Sequence, residues 1–159
     1  MNSTDIQVLV TGSRFTGRGF RAIEPVMGEL IRSAQEEIHI AAYVLTPSAL
    51  SLLGLIEGAL KRGVRVTAII NNLEQQPHGV TARLQMMAES FSHMRLSSIS
   101  SREGGQLHAK VLVADRKVAV MGSANLTWGG LVTNHELALL ISGDAPWHLA
   151  SLIDILMSQ

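Results

Sequence analysis

Residues 107 to 125 read Leu107-His108-Ala109-Lys110-Val111-Leu112-Val113-Ala114-Asp115-Arg116-Lys117-Val118-Ala119-Val120-Met121-Gly122-Ser123-Ala124-Asn125, and the architecture unfolds outward from them. Val111 to Ala114 and Val118 to Met121 are apolar runs rich in β-branched residues, separated by the polar Asp115-Arg116-Lys117. That pattern predicts a strand over His108–Ala114, a tight turn, and a second strand over Val118–Met121. On a strand, positions two apart share a face, so His108 and Lys110 are expected to point the same way.

Upstream, strands are expected over Asp5–Val10, Glu37–Val44, Val64–Ile70 and Met94–Ser97, with another over Glu136–Ile141 downstream. Ile23, Val26, Met27, Leu30, Ile31 and Ala34 recur at helical spacing, with Pro25 early enough for a helix to tolerate. Further helices are expected over Ser48–Arg62, stopped by Gly63, over Val80–Phe91 and over Trp147–Met157. Gly12 to Gly19, Asn71 to Gly79 and Ser98 to Gln106 read as loops. Strands alternating with helices and then a hairpin imply one mixed sheet covered by helices, an α/β/α sandwich forming a single domain over residues 1–159.

Composition bounds the function. Hydrophobic residues make up 47% and charged residues 16%, a globular balance with a core of aliphatic side chains. With no cysteine, thiolate catalysis and cysteine-based zinc sites are excluded. Thirteen basic residues balance thirteen acidic ones, which disfavours a protein that coats nucleic acid by charge alone. The apolar region Ile38 to Ile56 is broken by His39, Thr46-Pro47-Ser48 and Ser51, so no membrane partner is expected. The first residues lack a basic segment followed by an apolar one, so the expected location is the cytoplasm.

The chemistry lies in His108-x-Lys110, Gly122-Ser123-x-Asn125 and Asn134-x-Glu136. An imidazole can attack phosphorus while a neighbouring ammonium holds the phosphoryl oxygens. Ser123 and Asn125 can donate to those oxygens as negative charge builds on them. Glu136 can accept from the second ring nitrogen of His108, fixing its tautomer. The alternatives are turn-forming roles for Ser123 and Asn125 and a structural ion pair for Glu136.

The run His108-x-Lys110-x-x-x-x-Asp115 followed by Gly122-Ser123-x-Asn125 resembles the signature of the phospholipase D superfamily. The flanks Ala41-Ala42-Tyr43, Lys61-Arg62-Gly63-Val64, Thr127-Trp128 and Asn134-x-Glu136 are similar to those of its small single-motif bacterial endonucleases. The resemblance spans roughly residues 20 to 142 and implies hydrolysis without metal or other cofactor. One histidine forms a covalent phosphohistidine, and a second protonates the leaving oxygen and later activates water. His39, His78, His93, His135 and His148 lack a lysine two residues on, so the second histidine is absent from this chain. A two-fold homodimer with two copies of His108 face to face is the expectation. In this scheme His108, Lys110, Ser123, Asn125 and Glu136 are catalytic, and Lys110 and Asn125 bind substrate. Asp115 supports the motif through hydrogen bonds.

Around this core, Trp128 is expected to pack at the site's edge, with stacking on a base as the other reading. Arg14, Arg18 and Arg21 form a basic cluster beside glycines; contact with a phosphate backbone and a solvated loop both remain open. Gly12-x-x-x-x-Gly17 lacks the Lys-Ser/Thr of a P-loop, and Gly17-x-Gly19-x-x-Ala22 is a poor dinucleotide fingerprint. His39 and His135 read as structural. The leading expectation is a nuclease with a nucleic-acid substrate, working beside other subunits of a restriction, phage-defence or DNA-processing assembly. Its rivals are a phospholipase or phosphatidyltransferase, and a non-catalytic nucleic-acid-binding dimer.

Overall fold

A computed structural model describes residues 4–100 and 104–158. In chain order the elements are β1 (Ile6–Thr11), β2 (Arg21–Ala22), α1 (Ile23–Ser33), β3 (Glu37–Ala42), α2 (Leu50–Lys61), β4 (Arg65–Asn71) and α3 (His78–Ser90). They continue with β5 (Met94–Ile99), β6 (Val111–Ala114), β7 (Val118–Gly122), β8 (Glu136–Ser142) and α4 (Ala145–Met157). The strands form one mixed sheet in the order β2-β1-β8-β7-β6-β3-β4-β5, as the sequence pattern implied. β1–β2, β3–β4 and β4–β5 are parallel, and the other pairs are antiparallel.

Two faces follow from the pleat. Ile38, Ile40 and Ala42 of β3, with Leu112 and Ala114 of β6, join α1, α2 and α3 in the main core. The alternate residues Ala41, Val113 and Ala119 meet Ile153 and Ala150 of α4 on the other side. Each fully buried Leu or Ile here contributes roughly 1.5–3 kcal/mol of transfer free energy. α1 presents Ile23, Val26, Leu30 and Ile31 as its buried stripe, and α2 stops at Gly63, whose φ of 89° closes the helix. Three helices cover one face, but α4 alone covers the other. Ile6 and Val8 of β1, Met121 of β7, and Leu137 and Leu139 of β8 are therefore exposed as one apolar patch.

The structure shortens some expected elements and adds others. The strand expected from His108 begins at Val111, because β3 ends at Ala42 and its ladder with β6 stops at Ala41↔Val111. β2 and a π-helical turn at Gly129–Thr133 were not expected. The helix expected at Trp147 starts two residues earlier, with Pro146 in its first turn.

Asp115 and Arg116 make the β6–β7 turn with left-handed φ values of 52° and 53°, as in type I′ turns. The Asp115 carboxylate accepts the backbone N–H groups of Gln35 (3.0 Å), Glu36 (2.8 Å) and Glu37 (3.0 Å), tying the hairpin to the start of β3. Arg116 donates to Glu37 (2.6 Å), Ser151 (3.2 Å) and Asp154, clamping α4 onto the sheet. Beneath it His39, only 1% exposed, sits 3.2 Å from Asp154. Burial pushes its pKa down against the pull of Asp154 and Glu37, so the ring favours its neutral form. The expectation for His39 is met. His135, by contrast, is exposed and turns an edge toward Phe15.

Burial acts to raise the Asp115 carboxyl, yet the backbone N–H bonds from Glu37, Gln35 and Glu36 prevail and hold it below the usual carboxylate range. Its stabilisation is therefore present above the unfolded value of about 3.9 and is lost as pH falls through the lower folded value. Asp115→Asn should be less stable than wild type at pH 7 by roughly 1–2 kcal/mol. In urea unfolding that gap should shrink below about pH 4; a gap independent of pH would remove the carboxylate from this role.

Candidate active site

Antiparallel pairing brings several strand ends to one edge of the sheet: the ends of β1, β3 and β7 and the beginnings of β6 and β8. Along that edge lie Thr11, Glu136, Ser123, Lys110 with His108, and Tyr43.

His108 and Lys110 lie in the segment just before β6, where the Gly122 N–H bond to the Lys110 carbonyl (3.3 Å) continues the ladder. Lys110 Nζ lies 3.1 Å from His108 Nδ1 and donates to the His108 carbonyl at 2.8 Å. An ammonium has no acceptor, so a hydrogen bond here requires Nδ1 to accept, which is the tautomer with the ring proton on Nε2. Tyr43 backs the pair. Its ring centroid is 4.3 Å from that of His108, and Lys110 Nζ sits 5.0 Å from it. Desolvation lowers the Lys110 pKa, with the Glu136 charge opposing.

Gly122 sets the junction between β7 and β8. A Cβ there would fall 2.3 Å from the Leu137 carbonyl oxygen, so only glycine lets the strands approach this closely. Ser123 then bonds β8 through its backbone N–H to the Leu137 carbonyl (3.0 Å). Its hydroxyl donates to the Glu136 carboxylate and accepts from the Leu137 N–H (3.2 Å). Glu136 also accepts from Asn134 Nδ2 (3.2 Å). The expected contact between Glu136 and His108 is thus replaced by bonds to Ser123 and Asn134. The Ser123 hydroxyl is likewise engaged within the site rather than held free for substrate.

Asn125, Lys110 and Tyr43 are among the residues lining a small void between α1 and the sheet, and the buried Asn125 Oδ1 has no hydrogen-bond partner among the described residues. Its backbone is fixed by Gly130 of the π-helical turn, where a Cβ would fall 2.2 Å from the Asn125 carbonyl oxygen. Thr127 Oγ1 accepts the Gly130 N–H at 2.9 Å and starts that turn.

The remaining expected residues fall outside this cluster. Asp115 sits at the far end of β6, and its carboxylate accepts from backbone N–H groups. Trp128 is 59% exposed rather than packed, because the chain turns outward into the π-helical turn. Arg14 and Arg18 lie exposed on the loop after β1, where Arg18 Nε donates to the Arg14 carbonyl (3.0 Å). Arg21 pairs with Glu29. Among the described residues no group of three or more His, Cys, Asp or Glu is placed to hold a metal ion, and no helix is long and apolar enough to cross a membrane.

Sequence reasoning missed the supports of the His108 segment. Asn71, 4% exposed at the end of β4, accepts the Leu107 N–H at 3.0 Å. Gln76 accepts from Leu45 N–H (2.9 Å) and donates to the carbonyls of Tyr43 (3.1 Å) and Asn71 (2.7 Å). One amide thus ties Tyr43 to the residue that seats His108. The only trace in the sequence was a pair of amides in a polar loop.

Comparison with known proteins shows the family and the fold. The family described as "Cardiolipin synthase, PLD-like domain" matches residues 27–154. The DISARM protein DrmC of Bacillus paralicheniformis is 26% identical over 120 residues, covering 75% of this chain and 49% of its own length. The mouse 5'-3' exonuclease PLD4 is 27% identical over 128 residues, covering 71% of this chain and 25% of its own length. The chain therefore spans about half the length of one curated relative and a quarter of the other. Nuc from Salmonella typhimurium, a phospholipase D family member, has the same fold, with a TM-score of 0.73 and 24% identity over 98% of this chain and 93% of its own.

Asn71→Ala should leave the Leu107 N–H without its partner at a cost of about 1–3 kcal/mol. Hydrogen exchange should then show the Leu107 amide opening faster than in wild type. Unchanged protection there would mean that Asn71 is not what seats the His108 segment.

Proposed function

The chain belongs to the phospholipase D superfamily, and we propose that it is a metal-independent phosphodiesterase cleaving nucleic acid through a phosphohistidine on His108. The observation that supports this reading is the exposed His108 ring held against Lys110 at one sheet edge, with the Tyr43 ring beside both. Relatedness to an exonuclease supports a nucleic-acid substrate, as do the exposed Arg14 and Arg18 beyond Glu136.

The resting contacts define the first event. With Lys110 on Nδ1, the Nε2 lone pair is not free. A phosphodiester brings anionic oxygens that compete for the ammonium and draw it off the ring. Nδ1 then takes up the proton and Nε2 becomes the nucleophile. Nε2 attacks phosphorus, the bond to the leaving oxygen breaks, and the imidazolium of the second subunit's His108 protonates that oxygen. The second ring, now neutral, takes a proton from water. The water oxygen attacks phosphorus, the P–N bond breaks, and His108 is released. Lys110 and the Asn125 amide hold the phosphoryl oxygens throughout.

The homodimer is part of the proposal, since this scheme needs two histidines and the chain supplies one such motif. The apolar patch of Ile6, Val8, Met121, Leu137 and Leu139 supports association, since monomers seldom leave such a face uncovered. Similarity to a DISARM protein supports work within a defence assembly whose other subunits supply recognition. A second reading, transfer or hydrolysis at a phospholipid headgroup, is favoured by the cardiolipin synthase description of the matching family.

Labelled DNA and RNA should be cleaved in excess EDTA by the wild type, and His108→Ala should lose at least about 10³-fold of that activity. Loss of wild-type cleavage in EDTA would overturn the mechanism, and hydrolysis of liposomes with no oligonucleotide cleavage would favour the lipid reading. Co-assembling wild-type and His108→Ala subunits tests the shared site separately. The mixed dimer should be nearly inactive; half activity would mean each subunit works alone.

A further inference from the structure

Beside the active edge lies a groove of about 470 Å³ between the loop after β1, the start of α1 and the π-helical turn. Its volume falls within the range of pockets that take small organic groups. Thr11, Phe15, Phe20, Glu24, Pro25 and Val132 are among its lining residues. Phe20 is 51% exposed, and Phe15 is held from behind by the edge of His135, with centroids 5.6 Å apart.

The groove is coupled to the site by the backbone. Thr11 is the register partner of Glu136. Gly12 is pressed against the residues before Glu136, since a Cβ there would fall 2.7 Å from the Asn134 carbonyl oxygen. From β1 to β6 is three strand spacings, about 14 Å. The groove therefore sits within reach of nucleotides flanking a phosphate held at Lys110.

Its chemistry is divided. Two aromatic rings and apolar walls suit the face of a base. Glu24 can accept from an exocyclic amine but would repel a phosphate. Arg14 and Arg18, exposed on the same loop, suit the backbone that carries that base. The Thr11 hydroxyl beneath the floor has no partner among the described residues, a polar group left for such a ligand after side-chain rotation.

We infer that this groove binds an unpaired nucleobase next to the scissile phosphate, so that the substrate is single-stranded nucleic acid. The inference rests on the nuclease reading and names its substrate class. A base in a duplex is stacked and paired, and cannot enter the groove without being extruded.

The test is binding of a labelled mixed-sequence oligonucleotide to the non-cutting His108→Ala chain, followed by fluorescence anisotropy at fixed salt. The single strand should bind at least about 10-fold tighter than the same strand annealed to its complement. Adding Phe20→Leu should weaken single-strand binding about 5-fold or more, the loss of one stacking contact, and Phe20→Trp should restore it. With His108 intact, hydrolysis of bis(p-nitrophenyl) phosphate, which carries no base, should be unchanged by Phe20→Leu. Equal binding of duplex and single strand overturns the inference, as does a Phe20→Leu affinity within about twofold or an equal loss on the small ester. If the wild type hydrolyses nothing, the nuclease reading fails, and the binding comparison still decides whether the groove takes a base.

Discussion

At Gly122 two strands approach more closely than any side chain would permit, and the active edge is built from that contact. With β7 drawn onto β8, Ser123 can bond the Leu137 carbonyl through its N–H and Glu136 through its hydroxyl. The same glycine donates its own N–H to the Lys110 carbonyl, fixing the base of the lysine side chain. Three residues on, Asn125 is pinned by a second glycine, Gly130, again because a Cβ would strike its backbone. The polar groups of this edge are thus positioned by the absence of two side chains. Their precision comes from main-chain packing rather than from loop rigidity.

The electrostatics of the site are self-limiting. The contact between Lys110 and His108 satisfies a partly desolvated ammonium at rest. It also keeps the ring in the tautomer that cannot attack through Nε2. In the proposed reaction an anionic phosphate exchanges places with the ring nitrogen, so that substrate binding and nucleophile activation are one event. Tyr43 makes this exchange short-range. Its ring lies under both partners and gives the displaced ammonium a favourable surface.

Much of the molecule was legible in the sequence, and the limits have physical causes. The hairpin around Asp115 was legible because β-branched runs and a polar turn are local signals. The left-handed pair Asp115 and Arg116 is a local feature as well, as is the histidine–lysine spacing. The start of β6 was misplaced because it depends on where β3 stops, which is a matter of pairing across the chain. Glu136 was assigned to His108 on sequence grounds. Its actual partners follow from the β7–β8 register, which no spacing encodes. Gln76 and Asn71 escaped notice because single amides serving backbone groups carry no pattern. The π-helical turn escaped because its cause is steric, at Gly130.

The pairing of β1 with β8 carries a kinetic consequence. Ile6 lies against Ile141, so β1 gains its main partner only after every strand between them has been made. Until then its apolar residues and unpaired amides wait beside a growing polypeptide. Contacts this distant in sequence close slowly, because loop entropy must be lost before they form. Nascent chains of this design are exposed to mispairing for longest at the strand that borders the active edge. Chaperone demand during biogenesis is therefore set by topology, independently of how stable the finished sheet becomes.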